Sequence, residues 1–191
     1  GKTLILKSLP DHLDLEDLAQ HRSSLFGAIH KIPRNQRNFE ALLVQKLCKF
    51  PSGHFIFIEG ESQKVGDVFI PQNLAKGMKI GKRILLNASI ETRIKRIVKE
   101  YDICDDKSFQ QIDLILQSLR LAIGKVKVEK LRLWLKLGEI ENIVRMLLLD
   151  YYDPRYLHAM KGYKYELELS TEDLDLAALE LINFRNQIIG S

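Results

Sequence analysis

Phe55-Ile56-Phe57-Ile58 is the feature that most limits what this chain can fold into. Aromatic and β-branched residues in an unbroken run leave no polar face for solvent. Such continuous apolarity suits a central parallel strand covered on both sides. Glu59-Gly60-Glu61-Ser62 follows at once, so the strand would carry carboxylates to its carboxyl end. Open α/β sheets bind ligands at that edge. Arg83-Ile84-Leu85-Leu86-Asn87 repeats the buried-strand pattern. His12-Leu13-Asp14-Leu15 is a shorter strand candidate, and Tyr163 to Leu169 a late one with Tyr165, Leu167 and Leu169 alternating.

Helical periodicity fills the intervals. Thr3 to Leu9 reads as the first turns of a helix, and Glu16-Asp17-Leu18-Ala19 as another helical turn. Phe39, Leu42, Leu43, Leu47 and Phe50 share one helix face, ended by Pro51 and Gly53. Pro71 opens a short helix reaching Met78, and Ser89 caps one carrying Ile90, Ile94, Ile97, Val98 and Tyr101. From about 108 to 160 the pattern is helical throughout, broken at Gly124 and Gly138. A last helix starts at Thr171 and runs towards Phe184. Residues 20–35 show no periodicity and predict a long loop, a setting in which function concentrates.

The chain opens on Gly1-Lys2-Thr3, which matches the end of a phosphate-binding loop, G-x-x-x-x-G-K-[ST]. In that motif backbone N–H groups surround the phosphates, the Lys reaches an outer phosphate and the hydroxyl meets Mg²⁺. The start inside a motif, without an initiator Met, predicts further sequence upstream. The fold predicted is α/β: a P-loop NTPase-like parallel sheet flanked by helices, with a helical insertion or subdomain. Residues 1–107 form the predicted core, 108–160 the helical subdomain, and 161–191 a strand and helix returning to the core.

At 46% hydrophobic content, 191 residues are enough for a folded core, which excludes a disordered segment. No apolar run approaches the roughly 18 residues of a membrane span. Cys48 and Cys104 are far apart and offer neither a zinc cluster nor a disulfide framework. Cys48 reads as a buried structural thiol, and a reduced, cytoplasmic setting follows. Net charge is +4, and basic residues dominate from Lys76 to Lys136, whereas Glu166 to Glu180 is acidic throughout. That asymmetry suits a polyanion partner for the middle of the chain.

Several groups can carry chemistry. Lys2 and Thr3, with Gly1, are phosphate candidates, and Thr3 is also a metal candidate. Glu59 and Glu61 can hold Mg²⁺ through water or act as a base. His21, Arg22, Ser23 and Ser24 suit an anion site, with forked Arg donors beside hydroxyls and loop N–H groups. Arg34, Gln36, Arg37 and Asn38 extend the same loop as either anion contacts or caps. Composition favours packing over base stacking for Tyr151-Tyr152-Asp153-Pro154-Arg155-Tyr156.

Taken in order, these blocks are distinctive: Gly1–Thr3, Asp14–Gly27, Gln36–Glu40, Ile58–Gly66 and Tyr151–Tyr156. The set resembles the C-terminal P-loop domain of bacterial tRNA 2-selenouridine synthases, over nearly the whole chain. The second and last blocks are its most specific parts. The resemblance implies an enzyme that converts wobble 2-thiouridine of tRNA to 2-selenouridine through an S-geranyl intermediate. Geranyl diphosphate would supply the prenyl group and selenophosphate the selenium, with a selenophosphate-supplying enzyme as a further partner. A rhodanese-like domain with an essential cysteine would precede this one, and neither Cys48 nor Cys104 matches that cysteine. The family's usual H-R-G-S stands here as His21-Arg22-Ser23-Ser24, and its E-D-E-S as Glu59-Gly60-Glu61-Ser62. Under this resemblance Lys2, Thr3 with Mg²⁺, and Arg22 neutralise a diphosphate leaving group. Lys125, Lys127, Lys130, Arg132, Arg93 and Arg96 would track the tRNA backbone. Without the resemblance, the same residues fit a nucleotide kinase or NTPase using ATP and Mg²⁺, or a non-catalytic RNA-binding module.

Overall fold

The computed structural model describes residues 1–60, 63–101, 103 and 105–190. The chain divides into two compact units, 1–88 with 165–191, and 89–164. The architecture is mixed α/β, with short parallel strand pairs and many helices.

In the first unit, α1 (Lys2–Ser8) leads into β1 (His12–Leu13) and the short α2 (Leu15–Ala19). The long loop ends at α3 (Gln36–Leu47), whose first turn is capped by the Asn35 side chain accepting from the Asn38 N–H at 3.0 Å. Strand β2 (Phe57–Ile58) pairs parallel with β1, His12 opposite Phe57 and Leu13 opposite Ile58. A hairpin of β3 (Lys64–Val65) and β4 (Val68–Phe69) follows, then α4 (Gln72–Ile80) and β5 (Ile84–Asn87). After the second unit the chain returns as β6 (Leu167–Ser170), parallel to β5, and α11 (Leu174–Ile189).

Among the described residues the strands pair as three two-stranded sheets. Phe55 is 46% exposed, and the apolar run is paired only at Phe57 and Ile58. The reason lies in its partner. Asp11 sits at φ 50°, and Asp14 is already committed to capping α2, so β1 has two residues to offer.

Two apolar clusters among the described residues hold this unit. Leu13, Leu15, Ala19, Phe39, Leu43, Val65, Val68 and Ile70 pack α2, α3 and the hairpin together. Ile5, Leu9, Leu169, Ala177, Ala178 and Leu181 pack α1 and α11 against β6, the two alanines permitting close approach. Cys48 is exposed, against the expectation of a buried thiol. The buried stripe of α3 runs through Phe39 and Leu43, and Cys48 comes after the last helical residue, off that stripe. Cys104 lies outside the described residues.

The second unit is helical: α5 (Ile90–Tyr101), α6 (Asp106–Ser118), α7 (Arg120–Ile123), α8 (Lys125–Leu137), α9 (Ile140–Leu147), a π-helical turn (Leu148–Tyr152) and α10 (Asp153–Ala159). Ile112, Leu116, Val128, Leu131 and Leu135 are buried on α6 and α8, while Ile94, Val144 and Leu148 join α5 to α9. Gly138 ends α8 at φ 73°, the left-handed position that glycine occupies without a Cβ clash. The helical stretch expected after Gly138 is present and changes to π pitch at Leu148. No helix of the described residues is long and apolar enough to cross a membrane.

Candidate phosphate site

The parallel register brings the acids together. Asp14 and Glu59 each stand one step past the paired residues Leu13 and Ile58, at the carboxyl ends of neighbouring strands. Both are buried, at 8% and 4% exposure. Asp14 Oδ1 accepts from the Asp17 N–H at 2.8 Å, which starts α2, and Oδ2 lies 3.6 Å from the Lys7 ammonium. The cap on one oxygen and the cation near the other offset the cost of burying this acid.

Starting α2 at Asp14 places Glu16 in its first turn. The Glu16 carboxylate then joins two segments. Its Oε1 accepts from the Ser23 N–H at 2.5 Å, and its Oε2 faces the Thr3 hydroxyl at 3.4 Å. The Glu16 carbonyl also accepts from the His21 N–H at 3.1 Å. So the opening Lys2-Thr3 and the His21–Ser24 loop, both predicted phosphate residues, share one acidic anchor. Glu16 and Asp14 were absent from the sequence-based site. Their signal was the Asp-x-Glu spacing before the loop, which becomes meaningful only with the register of β1 known.

The loop itself is a chain of tight turns. The Arg22 N–H donates to Gly27, Ser24 N–H to Arg22 and Gly27 N–H to Ser24, at 3.2, 2.8 and 3.0 Å. Arg22 Nη1 donates to the Ile29 carbonyl at 3.1 Å, so part of its guanidinium holds the loop closed. Arg34 does the same from the far side, reaching the carbonyls of Asp17 and Leu18.

His21 is clamped between two glycines. A Cβ on Gly27 would lie 2.5 Å from the imidazole Cε1, and one on Gly66 would lie 2.4 Å from its Cγ. The β3–β4 turn therefore lies against the ring, joining the loop to the hairpin that follows Glu59. The Ser23 hydroxyl and His21 Nδ1 are buried and, among the described residues, lack a hydrogen-bond partner. Buried polar atoms of this kind are costly unless bonded. A hydroxyl, and a ring nitrogen in its N–H form, can each donate to a phosphate oxygen.

Gly1 and Lys2 are exposed at the start of α1. Glu61 and Ser62 lie outside the described residues. For a cation, the oxygen donors on these segments belong to Thr3, Glu16, Asp14 and Glu59, and oxygen donors suit a hard ion such as Mg²⁺. Among the described residues no group of three or more His, Cys, Asp or Glu side chains is gathered as a metal centre. A phosphate-bound Mg²⁺ needs few protein ligands, since waters and phosphate oxygens complete its shell.

The proposed tRNA-facing cations are in the second unit, and several have internal partners. Arg93 makes a two-pronged pair with Asp153 at 3.0 and 2.5 Å, and Arg132 one with Asp113 at 2.6 and 3.0 Å. Lys127 pairs with Asp150 at 2.9 Å. The Arg132 hydrogen bond holds the Asp113 carboxyl below its ordinary range, and Arg145 does the same for Glu91. Arg96 is half-buried. Lys125 is exposed, and Lys130 lies exposed with its ammonium 4.7 Å over the Trp134 ring.

The fold is of the mixed α/β class, with an acid-anchored polar loop at a strand-end edge. Comparison with known families narrows that class. A family model for the tRNA 2-selenouridine synthase AAA domain matches residues 1–180, and the chain belongs to that family. It is 29% identical to a tRNA 2-selenouridine synthase of Hydrogenovibrio crunogenus over 89% of this chain and 53% of the relative. It is also 29% identical to one of Psychromonas ingrahamii, over 84% of this chain and 51% of the relative. A synthase of Shewanella piezotolerans is 36% identical over a shorter stretch, 53% of this chain and 28% of the relative. The chain spans about half the length of the longest-matching curated relatives. No solved structure matches it significantly.

Proposed function

We propose that this chain is the P-loop-like, phosphate-handling domain of a tRNA-modifying enzyme that converts wobble 2-thiouridine to 2-selenouridine. The reaction would pass through an S-geranylated base, with geranyl diphosphate as prenyl donor and selenophosphate as selenium donor. The observation that carries the reading is Glu16, whose carboxylate joins Thr3 to Ser23 and so unites both predicted phosphate segments. The family membership supports tRNA as the substrate class.

In this reading Lys2, Arg22 and the Ser23 and Ser24 hydroxyls bind the diphosphate. Its departure from an allylic carbon leaves negative charge on oxygen, which these donors stabilise. Mg²⁺, when bound at Thr3 and Glu59, would supply further charge neutralisation on the leaving group. Glu59 and Glu61 would hold that metal through water or act as a base. His21, locked by Gly27 and Gly66, holds the loop in register with the Glu59 strand end. Lys125 and Lys130 contact tRNA phosphates, with Lys127, Arg132, Arg93 and Arg96 adding positive potential around them. A rhodanese-like domain, as the family resemblance implies, completes the selenium step in the whole protein.

Calorimetric titration of the chain with geranyl diphosphate, ATP and GTP, each with Mg²⁺, tests this. Geranyl diphosphate is expected to bind and the nucleotides not. Tight ATP binding without geranyl diphosphate binding would replace the transferase reading with a nucleotide kinase or NTPase.

A further inference from the structure

The segment from Tyr151 to Lys164 has a use that the phosphate site leaves unexplained. Helix α10 buries none of its residues. Tyr156 is 49% exposed and Tyr163 also 49%, with Leu157 at 66%. An amphipathic helix of a folded domain normally hides one face. This one instead presents aromatic rings beside cations. From Pro154 to Tyr165 the chain carries Arg155, His158, Lys161 and Lys164 and no acid.

The local geometry is organised. The Arg155 guanidinium lies 3.6 Å from the centre of the Tyr151 ring, and its Nη1 donates to the Tyr151 carbonyl at 2.9 Å. Tyr152 meets Tyr151 edge-on, with ring centres 5.0 Å apart. The π-helical turn carries Tyr151 and Tyr152, the start of this array, and such turns are common at functional sites. Asp153, the one acid at the head of α10, is taken up by Arg93. That two-pronged pair anchors the base of the array and removes its negative charge from it.

We propose that Tyr151, Arg155, Tyr156 and Tyr163 form a stacking platform for unpaired nucleobases of an RNA, with Lys161 and Lys164 on the adjoining phosphates. Interleaved cations and aromatics are what single-stranded nucleic acid requires, because every base offers a π-face and every linkage a charge. Arg155 stacks as a plane as well as acting as a charge, which lysine does not. The acid-free charge pattern favours a polyanion, and RNA over an acidic protein, because the carboxylates that would answer the cations carry no π-face for the tyrosines. The proposal rests on the reading that the partner is a tRNA, and locates its unpaired loop.

The test is fluorescence-anisotropy binding of the whole chain to an RNA stem-loop and to a duplex of the same stem without the loop. Wild type is expected to prefer the stem-loop. Tyr156→Ala and Arg155→Lys are expected to weaken stem-loop binding by about tenfold each, in the range of losing one stacked base. Duplex binding should be unchanged, and Tyr156→Phe should keep stem-loop affinity. Both positions are exposed, so circular dichroism of the variants should match wild type. Stem-loop affinity unchanged in both variants, or equal loss for stem-loop and duplex, overturns the platform while leaving the tRNA reading in place. Displacement of the stem-loop by polyglutamate at equal charge also overturns it, as a general acidic-partner surface. A wild-type chain that binds neither RNA overturns both.

Discussion

Gly66→Ala is a sharp probe of the joint between loop and hairpin. Gly66 has φ 57°, where a Cβ costs about 1–2 kcal/mol. The same Cβ would lie 2.4, 2.7 and 2.8 Å from Cγ, Nδ1 and Cβ of His21. Forcing an added methyl into a packed site costs about 1–3 kcal/mol more. The substitution should therefore cost about 2–5 kcal/mol in total. In a His21→Gly background the ring and its Cβ are both gone, and the cost should fall to the backbone part, about 1–2 kcal/mol. The coupling is then about 1–3 kcal/mol, measurable in a double-mutant cycle. Urea unfolding followed by far-ultraviolet circular dichroism is the assay, since Trp134 belongs to the other unit and would report on that one. If Gly66→Ala costs the same with and without His21, the clamp is not what holds these segments together.

Three further outcomes follow from the same geometry. Glu16→Ala should destabilise the first unit by about 1.5–3 kcal/mol, the range for a charged hydrogen bond, and speed amide exchange at Ser23; an unchanged Ser23 exchange rate would remove Glu16 as the anchor. The lowered Asp113 carboxyl stabilises the fold above its ordinary value of 3.8, and this is lost as pH falls through the depressed folded value. Acid titration of wild type and Asp113→Asn should therefore show a stability gap that is constant near neutrality and closes only below about pH 4. Lys125→Glu with Lys130→Glu should flatten the salt dependence of tRNA binding by about two log units per log unit of salt, whereas Arg132→Gln should chiefly affect stability.

The helices and strand positions were largely legible because periodicity is local. Phe39 and Leu43 announced α3, and Ile84 to Asn87 announced β5. What escaped depends on partners distant in sequence. The β3–β4 hairpin has two-residue strands, too short to alternate visibly. Cys48 looked buried because a helix face was extended past its true end at Leu47. Asp14 and Glu16 became site residues only once β1 was set beside β2. The acids that tie Arg93, Lys127 and Arg132 come from other helices, and no spacing rule along one helix reveals them. The Tyr151–Tyr156 block was recognisable as a motif, but that α10 buries none of its residues is visible only in the fold.

The central claim is that Lys2-Thr3, the His21–Ser24 loop and the Glu59 strand end form one diphosphate site. Amide NMR titration with geranyl diphosphate and Mg²⁺ tests it most directly. The account requires the largest shifts at Lys2, Thr3, Arg22, Ser23, Ser24 and Glu59, saturating together with one dissociation constant. Shifts confined to the apolar pocket of Phe109, Leu114 and Leu135 on α6 and α8, with the loop unmoved, would contradict it.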